Sequence, residues 1–242
     1  MEQTHLGAYD LPERVASYDA DMAIMHPNRA KMVEVALEVL PFAPETPLRA
    51  LDLGVGTGYF THCLLQHFGA SQVVAVDVAR AMLEMAQARL GLLAGRVDFR
   101  LGDFRQLASL LAAGEEFDVV FSSYALHHLN RDEKSAVVAQ CLRVLRPGGW
   151  FLNADLIVAE SAMMEQRIQK LRVQGIVARA AGSDDRFRDA TATRQFLDGL
   201  EARDGDQPRT IRDELALLEA AGLRDVSLLW LEYREAVWGG RK

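Results

Sequence analysis

Cysteine is almost missing from this chain. Cys63 and Cys141 are the only two among 242 residues, and both fall within helical patterns, so no disulfide framework is expected. Long apolar runs are absent as well: no stretch approaches the ~20 residues that a membrane-spanning helix requires. The first residues, Met1-Glu2-Gln3-Thr4-His5, lack the basic-then-apolar order of a secretory signal. Nor is there a surplus of positive charge. A net charge of −7 argues against a nucleic-acid partner gripped over a broad basic face. Low-complexity segments and internal repeats are also lacking. What remains is half apolar and one quarter charged, an ordinary balance for a globular domain with a full core. The expectation is a cytoplasmic protein of one domain over residues 1–242, without membrane or nucleic-acid contacts and with room for a homodimer.

Against this plain background one stretch stands out: Leu51-Asp52-Leu53-Gly54-Val55-Gly56-Thr57-Gly58-Tyr59-Phe60. A second apolar run, Val73-Val74-Ala75-Val76-Asp77, ends in an acid. Glycine lets a ligand approach the backbone closely, and the helix that follows offers unpaired N–H groups at its start. An acid at the tip of the next strand is placed to accept ribose hydroxyls. The pattern predicts a nucleoside-containing cofactor. Its spacing narrows the choice. A dinucleotide fold would place its third glycine where Tyr59 stands, and no Lys-Ser/Thr pair follows to make a phosphate-cradling loop. Asp52, just before the first glycine, would repel a pyrophosphate but suits a cationic or amino-acid-bearing ligand.

Residues 11–40 read as helical, with Pro41 and Pro44 ending them. Strands at 49–53, 72–77, 97–101, 117–122 and 150–156 then alternate with helices at 58–68, 79–90 and 131–145. Apolar strands in such alternation predict a parallel sheet covered on both faces. Pro147-Gly148-Gly149 reads as the tight turn into the last of these strands. Residues 159–203 are helical without intervening strands, carry several arginines and a turn at Gly182-Ser183-Asp184-Asp185, and read as an inserted lid too poor in apolar residues for its own core. Then come a helix at 209–221 capped by Gly222, and strands at 225–231 and 234–238 before Gly239-Gly240. The short gap at Glu232-Tyr233 predicts a hairpin and hence one antiparallel strand.

The acid-flanked glycine turn, Asp77 with Ala81-Met82-Leu83 after it, Gly102-Asp103-Phe104 after the third strand, Phe117 to Leu129, and Leu142-Arg143-Val144-Leu145-Arg146-Pro147-Gly148-Gly149 resemble, in that order, the motifs of class I S-adenosylmethionine-dependent methyltransferases. The resemblance implies an α/β, Rossmann-like sheet of seven strands, six parallel and one antiparallel in a C-terminal hairpin. It implies a cofactor core at 48–158, a helical N-terminal cap at 11–45, a lid at 159–203 and a closing helix and hairpin at 204–242. The implied cofactor is S-adenosyl-L-methionine, leaving as S-adenosyl-L-homocysteine. Its implied contacts are Asp52, Gly54, Val55, Gly56 and Gly58 from the turn, Asp77, Val78 and Met82 from the second strand and helix, Asp103 and Phe104 on the adenine, and Ser123 beneath the sulfonium. From the cap, Tyr18 is implied at the cofactor and Arg29 at its carboxylate. The alternative readings are a helix-cap or turn aspartate for Asp103, a solvated helix arginine for Arg29, and packing for Tyr18, Met22 and Met25.

Within this superfamily the chain looks most like the small-molecule methyltransferases and the related carboxy-S-adenosylmethionine synthases. Ser122-Ser123-Tyr124-Ala125 stands where enzymes of base amines carry Asn/Asp-Pro-Pro-aromatic, and where catechol-type enzymes carry magnesium-binding acids. Neither cysteine follows a proline, as the cytosine-C5 chemistry needs. The expected reaction is therefore metal-free methyl transfer to a small-molecule acceptor. Alternatives are a carboxy-S-adenosylmethionine synthase or tRNA-modification enzyme, a binding protein without catalysis, and, outside the superfamily, a nicotinamide oxidoreductase. Candidate catalytic residues are His127, His128 and Tyr124. A histidine titrates in the useful range, although one of the pair could cap a helix while the other packs, and Tyr124 could be a core aromatic. Asp155 falls near the ligand-facing tip of the fifth strand, and Trp230 and Tyr233 read as structural.

Overall fold

A computed structural model describes residues 12–242, with side chains from Ser17 onward. The reading made on Met1–His5 lies outside those residues. The residues expected to be helical over 11–40 form two helices, α1 (Pro12–Met25) and α2 (Arg29–Glu38). Pro27 separates them, because proline disfavours the helical conformation of the residue before it and donates no hydrogen bond. The chain then runs β1 (Arg49–Leu53), α3 (Tyr59–His67), β2 (Gln72–Asp77), α4 (Arg80–Leu90), β3 (Val97–Leu101) and the single-turn α5 (Leu107–Leu110). It continues with β4 (Phe117–Ser123), α6 (Arg131–Val144), β5 (Leu145–Leu156), α7 (Ala162–Ala180), α8 (Ala190–Asp204), α9 (Ile211–Ala221), β6 (Arg224–Glu232) and β7 (Glu235–Arg241). Among the described residues no helix is long and apolar enough to cross a membrane.

The seven strands form one sheet in the order β3-β2-β1-β4-β5-β7-β6. Only β7 runs against its neighbours β5 and β6, which is the expected arrangement of one antiparallel strand among six parallel ones. Period-two alternation explains why the central strands are apolar throughout. Ala50, Val73, Ala75, Val119 and Phe121 pack on the face that carries α2 and α3. Leu51, Leu53, Val74, Val76 and Val120 pack on the other, with Val137 and Leu218 from α6 and α9. Each of the larger side chains among them, Val, Leu or Phe, contributes about 1.5–3 kcal/mol when taken from water, so both layers are needed to hold the sheet.

The C-terminal half departs from the sequence expectation in three ways. Strand β5 starts at Leu145, opposite Phe117, with an irregularity in register before Trp150 pairs with Val119. The Pro147-Gly148-Gly149 turn is thus a bulge inside the strand. Strand β7 does not stop before Gly239-Gly240 but pairs with β5 as far as Arg241. A Cβ on Gly239 would sit 2.3 Å from the Phe151 carbonyl oxygen, so glycine here permits close strand approach rather than ending the strand. Finally, α7 and α8 have a small core of Val173, Ile176, Ala180, Phe187 and Leu197, completed by Met25 of α1. The α7–α8 pair is thereby fastened to the N-terminal helices.

Candidate functional site

The sheet order reverses between β1 and β4, since β2 lies on one side of β1 and β4 on the other. Open α/β sheets receive ligands at that point, beyond the carboxyl ends of the strands. A cavity of about 460 Å³ opens there, within the range of roughly 300–1,000 Å³ usual for small-ligand sites.

The floor of the cavity is the glycine turn. Gly54 has φ +76°, and a Cβ there would meet the Ala125 Cβ at 2.6 Å, so the β1 and β4 loops can touch only without a side chain. Gly58 packs instead against Ala86 of α4 and is the one turn glycine that does not line the cavity. At the tip of β2, Asp77 accepts the Gly56 N–H at 2.8 Å and the Ala79 N–H at 2.9 Å. Two backbone donors therefore fix its carboxylate against the turn. Asp52 is buried below, with the Thr61 hydroxyl donating to it at 2.5 Å. Burial pushes its pKa up to about 7, the Thr61 hydrogen bond opposes this, and the Asp77 charge adds to it. Val55, Val78 and Met82 also line the cavity.

One wall is held by short-range ion pairs. Asp103 caps the turn after β3, accepting the Arg105 N–H at 2.9 Å, and the Arg105 guanidinium bridges Asp103 to Glu133 of α6. Asp103 therefore caps this turn and also lines the cavity. Phe104 and Ser123 line the cavity beside it. Across the floor, Arg29 of α2 pairs with Asp19 at 3.0 Å and stacks 4.4 Å over the Tyr59 ring. Asp19 is also paired with Arg89. Arg29 and Tyr18 both face the cavity; Arg29 is a fixed, paired residue rather than a solvated one.

The opposite wall follows β4. Tyr124 has φ +49° and lines the cavity, but its hydroxyl donates to Glu235 Oε1 at 2.6 Å. His26 Nδ1, at 3.2 Å, and the Asn28 amide, at 2.8 Å, share that carboxylate. Although burial works the other way, these partners hold Glu235 below the usual range. Burial and the Glu235 charge drive the Tyr124 phenol well above its ordinary value. The phenol is thus tied to the α1–α2 junction and the hairpin, in a poor state to act as a base.

The two histidines separate sharply. His127 is buried and does not line the cavity. Its Nδ1 lies 2.6 Å from Asp155 Oδ1 and its Nε2 3.5 Å from Asp206 Oδ1. Burial opposes the charged ring, but the two carboxylates prevail and hold its pKa at about 10. Asp155, expected near the ligand, is instead the partner behind His127. His128 does face the cavity, with Nδ1 3.0 Å from Asp206 Oδ1. Burial and the His127 cation pull its pKa below the ordinary histidine value, against the pull of Asp206. Among the described residues His127, His128 and Asp206 are the only such trio close enough to share a metal ion. A ring kept protonated between two carboxylates is a poor ligand, since metal binding needs neutral imidazole.

A family model described as a methyltransferase domain matches residues 50–149. An uncharacterized methyltransferase of Geobacillus kaustophilus is 32% identical over 155 residues, 64% of this chain and 67% of that protein. The chain belongs to the class I S-adenosylmethionine-dependent methyltransferases. A demethylmenaquinone methyltransferase of Leptospira interrogans is 40% identical over 111 residues, but the match spans 45% of this chain and only 43% of that protein. A solved complex of DhpI with SAM and HEP superposes with a TM-score of 0.65 at 21% identity, covering 99% of this chain and 97% of that one. At that identity the likeness is one of fold. The methyltransferase core thus accounts for the cavity floor. Sequence reasoning missed the wall residues Arg105, Asn130 and Glu133, and also Asp204, Gly205 and Gln207, which reach the cavity from the α8–α9 connection. The capping box of Asn130 and Glu133 on α6 was a readable signal for the first group; nothing local marked the second.

Proposed function

We propose that this methyltransferase transfers a methyl group from S-adenosyl-L-methionine to a small-molecule acceptor bearing an ionisable O–H, without a metal. The observation that carries this reading is one cavity faced by both a backbone-fixed acid, Asp77, and an uncharged histidine, His128. The floor fits the cofactor. Asp77 would take the ribose hydroxyls, Asp103 and Phe104 the adenine, and Arg29 the methionine carboxylate with donors left over from Asp19. Asp52, half-neutralised near pH 7 by its burial, favours a cation in the cavity, whereas a pyrophosphate would be repelled. When bound, S-adenosyl-L-methionine supplies an electrophilic methyl carbon, and its sulfur leaves with the bonding pair as S-adenosyl-L-homocysteine. The chain's own part is to align the acceptor, exclude water and take up a proton. His128 receives the acceptor's O–H proton. His127, already charged, cannot, and steadies the wall instead. The α7–α8 unit and the connection after it form the lid, with Asp204, Gly205 and Gln207 over the acceptor side.

The test is transfer from methyl-labelled S-adenosylmethionine into a fractionated cell extract. Label in the low-mass fraction, lost on His128→Gln, is the expected outcome. Label confined to tRNA or protein would overturn the acceptor class. Native mass spectrometry of the purified protein separates the remaining alternative, because a bound cofactor heavier than S-adenosylmethionine would point to carboxy-S-adenosylmethionine chemistry.

A further inference from the structure

The α8–α9 connection reaches the β4 loop through three consecutive contacts. The Gln207 backbone N–H donates to the His127 carbonyl at 2.7 Å, the Gln207 side-chain amide donates to the His128 carbonyl at 3.3 Å, and Asp206 Oδ1 lies 3.0 Å from His128 Nδ1. Asp204 and Gly205, just before, line the cavity. This is a docked segment, separated from the histidines by nearly eighty residues of sequence. An imidazole with a carboxylate at Nδ1 keeps its proton there and carries the lone pair on Nε2. The two atoms stand at 3.0 Å as a charge pair without hydrogen-bond geometry, and catalytic hydrogen bonds commonly align only around substrate.

We infer that Asp206 is the positioning residue for His128: the α8–α9 connection delivers a carboxylate that fixes the ring's tautomer, so the base is complete only when that connection is docked on the β4 loop. This rests on the assignment of His128 as base. Among the described residues, the following charged groups bear on the ring. His127 stacks on it, with ring centroids 4.0 Å apart, Asp206 faces Nδ1, and Asp155 stands behind His127. Beyond Asp155 is the buried Lys134–Glu214 pair of α6 and α9, and the hairpin's Arg234 acts on Asp206. Of these, Asp206 alone contacts His128 from outside the β4 loop. The arrangement links closure to chemistry: a segment that covers the acceptor also sets the nitrogen that takes its proton.

Long-range proton–nitrogen spectra of the histidine rings test this without any acceptor. In the full-length protein His128 should carry its proton on Nδ1. In Asp206→Asn the population should move toward the Nε2–H form and the ring's titration should move to lower pH, while Asp206→Glu should restore the Nδ1–H form. Methyl transfer in the labelled-extract assay should fall on the order of a hundredfold in Asp206→Asn, the lower end for loss of a general base. A proton on Nε2 in the unmodified protein would overturn the assignment even if the Asn variant failed to fold. So would an unchanged tautomer and titration in a folded Asp206→Asn. If the spectra behave as expected but His128→Gln keeps full transfer, the base assignment fails and the positioning contact stands.

Discussion

The two sides of the cavity are built by different means. The side proposed for the methyl donor, at the tips of β1, β2 and β3, is organised by backbone: glycines that permit contact, and an Asp77 carboxylate held by two N–H groups within twenty-one residues. The side proposed for the acceptor, after β4, is organised by buried side-chain charges brought together from distant segments. His127 meets Asp155 and Asp206, and Tyr124 meets Glu235 across 111 positions. The difference teaches where each side is vulnerable. A backbone-made grip tolerates changes elsewhere and fails at its own ligand contact. A charge-made wall fails when any one member is removed, because a buried charge left without its partner is costly.

The largest test of this contrast is Asp155→Ala. It leaves the His127 cation with its closest partner gone, and should destabilise the fold by about 3–5 kcal/mol, read as a lower urea midpoint at constant slope. The pH dependence has a definite sign. The His127 pKa is raised, so its contribution is complete below the unfolded histidine value of about 6.5 and is lost as pH rises toward 10. Asp155 is held below its ordinary value, so its own contribution is present above the usual carboxylate range and is lost in acid. A stability profile flat from pH 6 to 10 would contradict the charged wall.

A smaller effect sharpens the donor side. Asp52 titrates at about 7, and a cationic ligand favours its ionised form. Affinity for S-adenosylmethionine should therefore fall as pH drops below 7, by up to about tenfold per unit, and Asp52→Asn should flatten that dependence. Calorimetry over pH 5.5–8.5 measures both. Smallest of all is the cap of α6. Asn130→Ala removes the acceptor of two N–H groups and should cost about 1 kcal/mol of stability, read as a modest drop in the thermal midpoint.

The same contrast explains what the sequence made legible. The glycine turn, the acid at 77, the strand alternation and the C-terminal hairpin are local patterns, each within a few residues, and the sheet follows from them. The boundaries that shifted did so through tertiary approach: Gly239 and Gly240 read as a stop but serve the β5–β7 contact, and Pro27 divided what periodicity ran together. The acceptor wall carries no local mark. Nothing in the local sequence singles out Asp206 or Glu235; only folding shows that each faces a buried partner. Even His127 and His128, adjacent in sequence, were separable only by which one reaches the cavity.

The most direct measurement is calorimetric titration of S-adenosylmethionine into three proteins: the unmodified chain, Asp77→Ala and His128→Gln. Binding of one equivalent is expected in the first, with affinity weakened about a hundredfold or more in Asp77→Ala, as the loss of charge-assisted ribose contacts at about 1.5–3 kcal/mol each requires. His128→Gln should bind as the unmodified chain does. Absence of binding to the unmodified chain, or equal affinity in a folded Asp77→Ala, would contradict a donor side built on that acid.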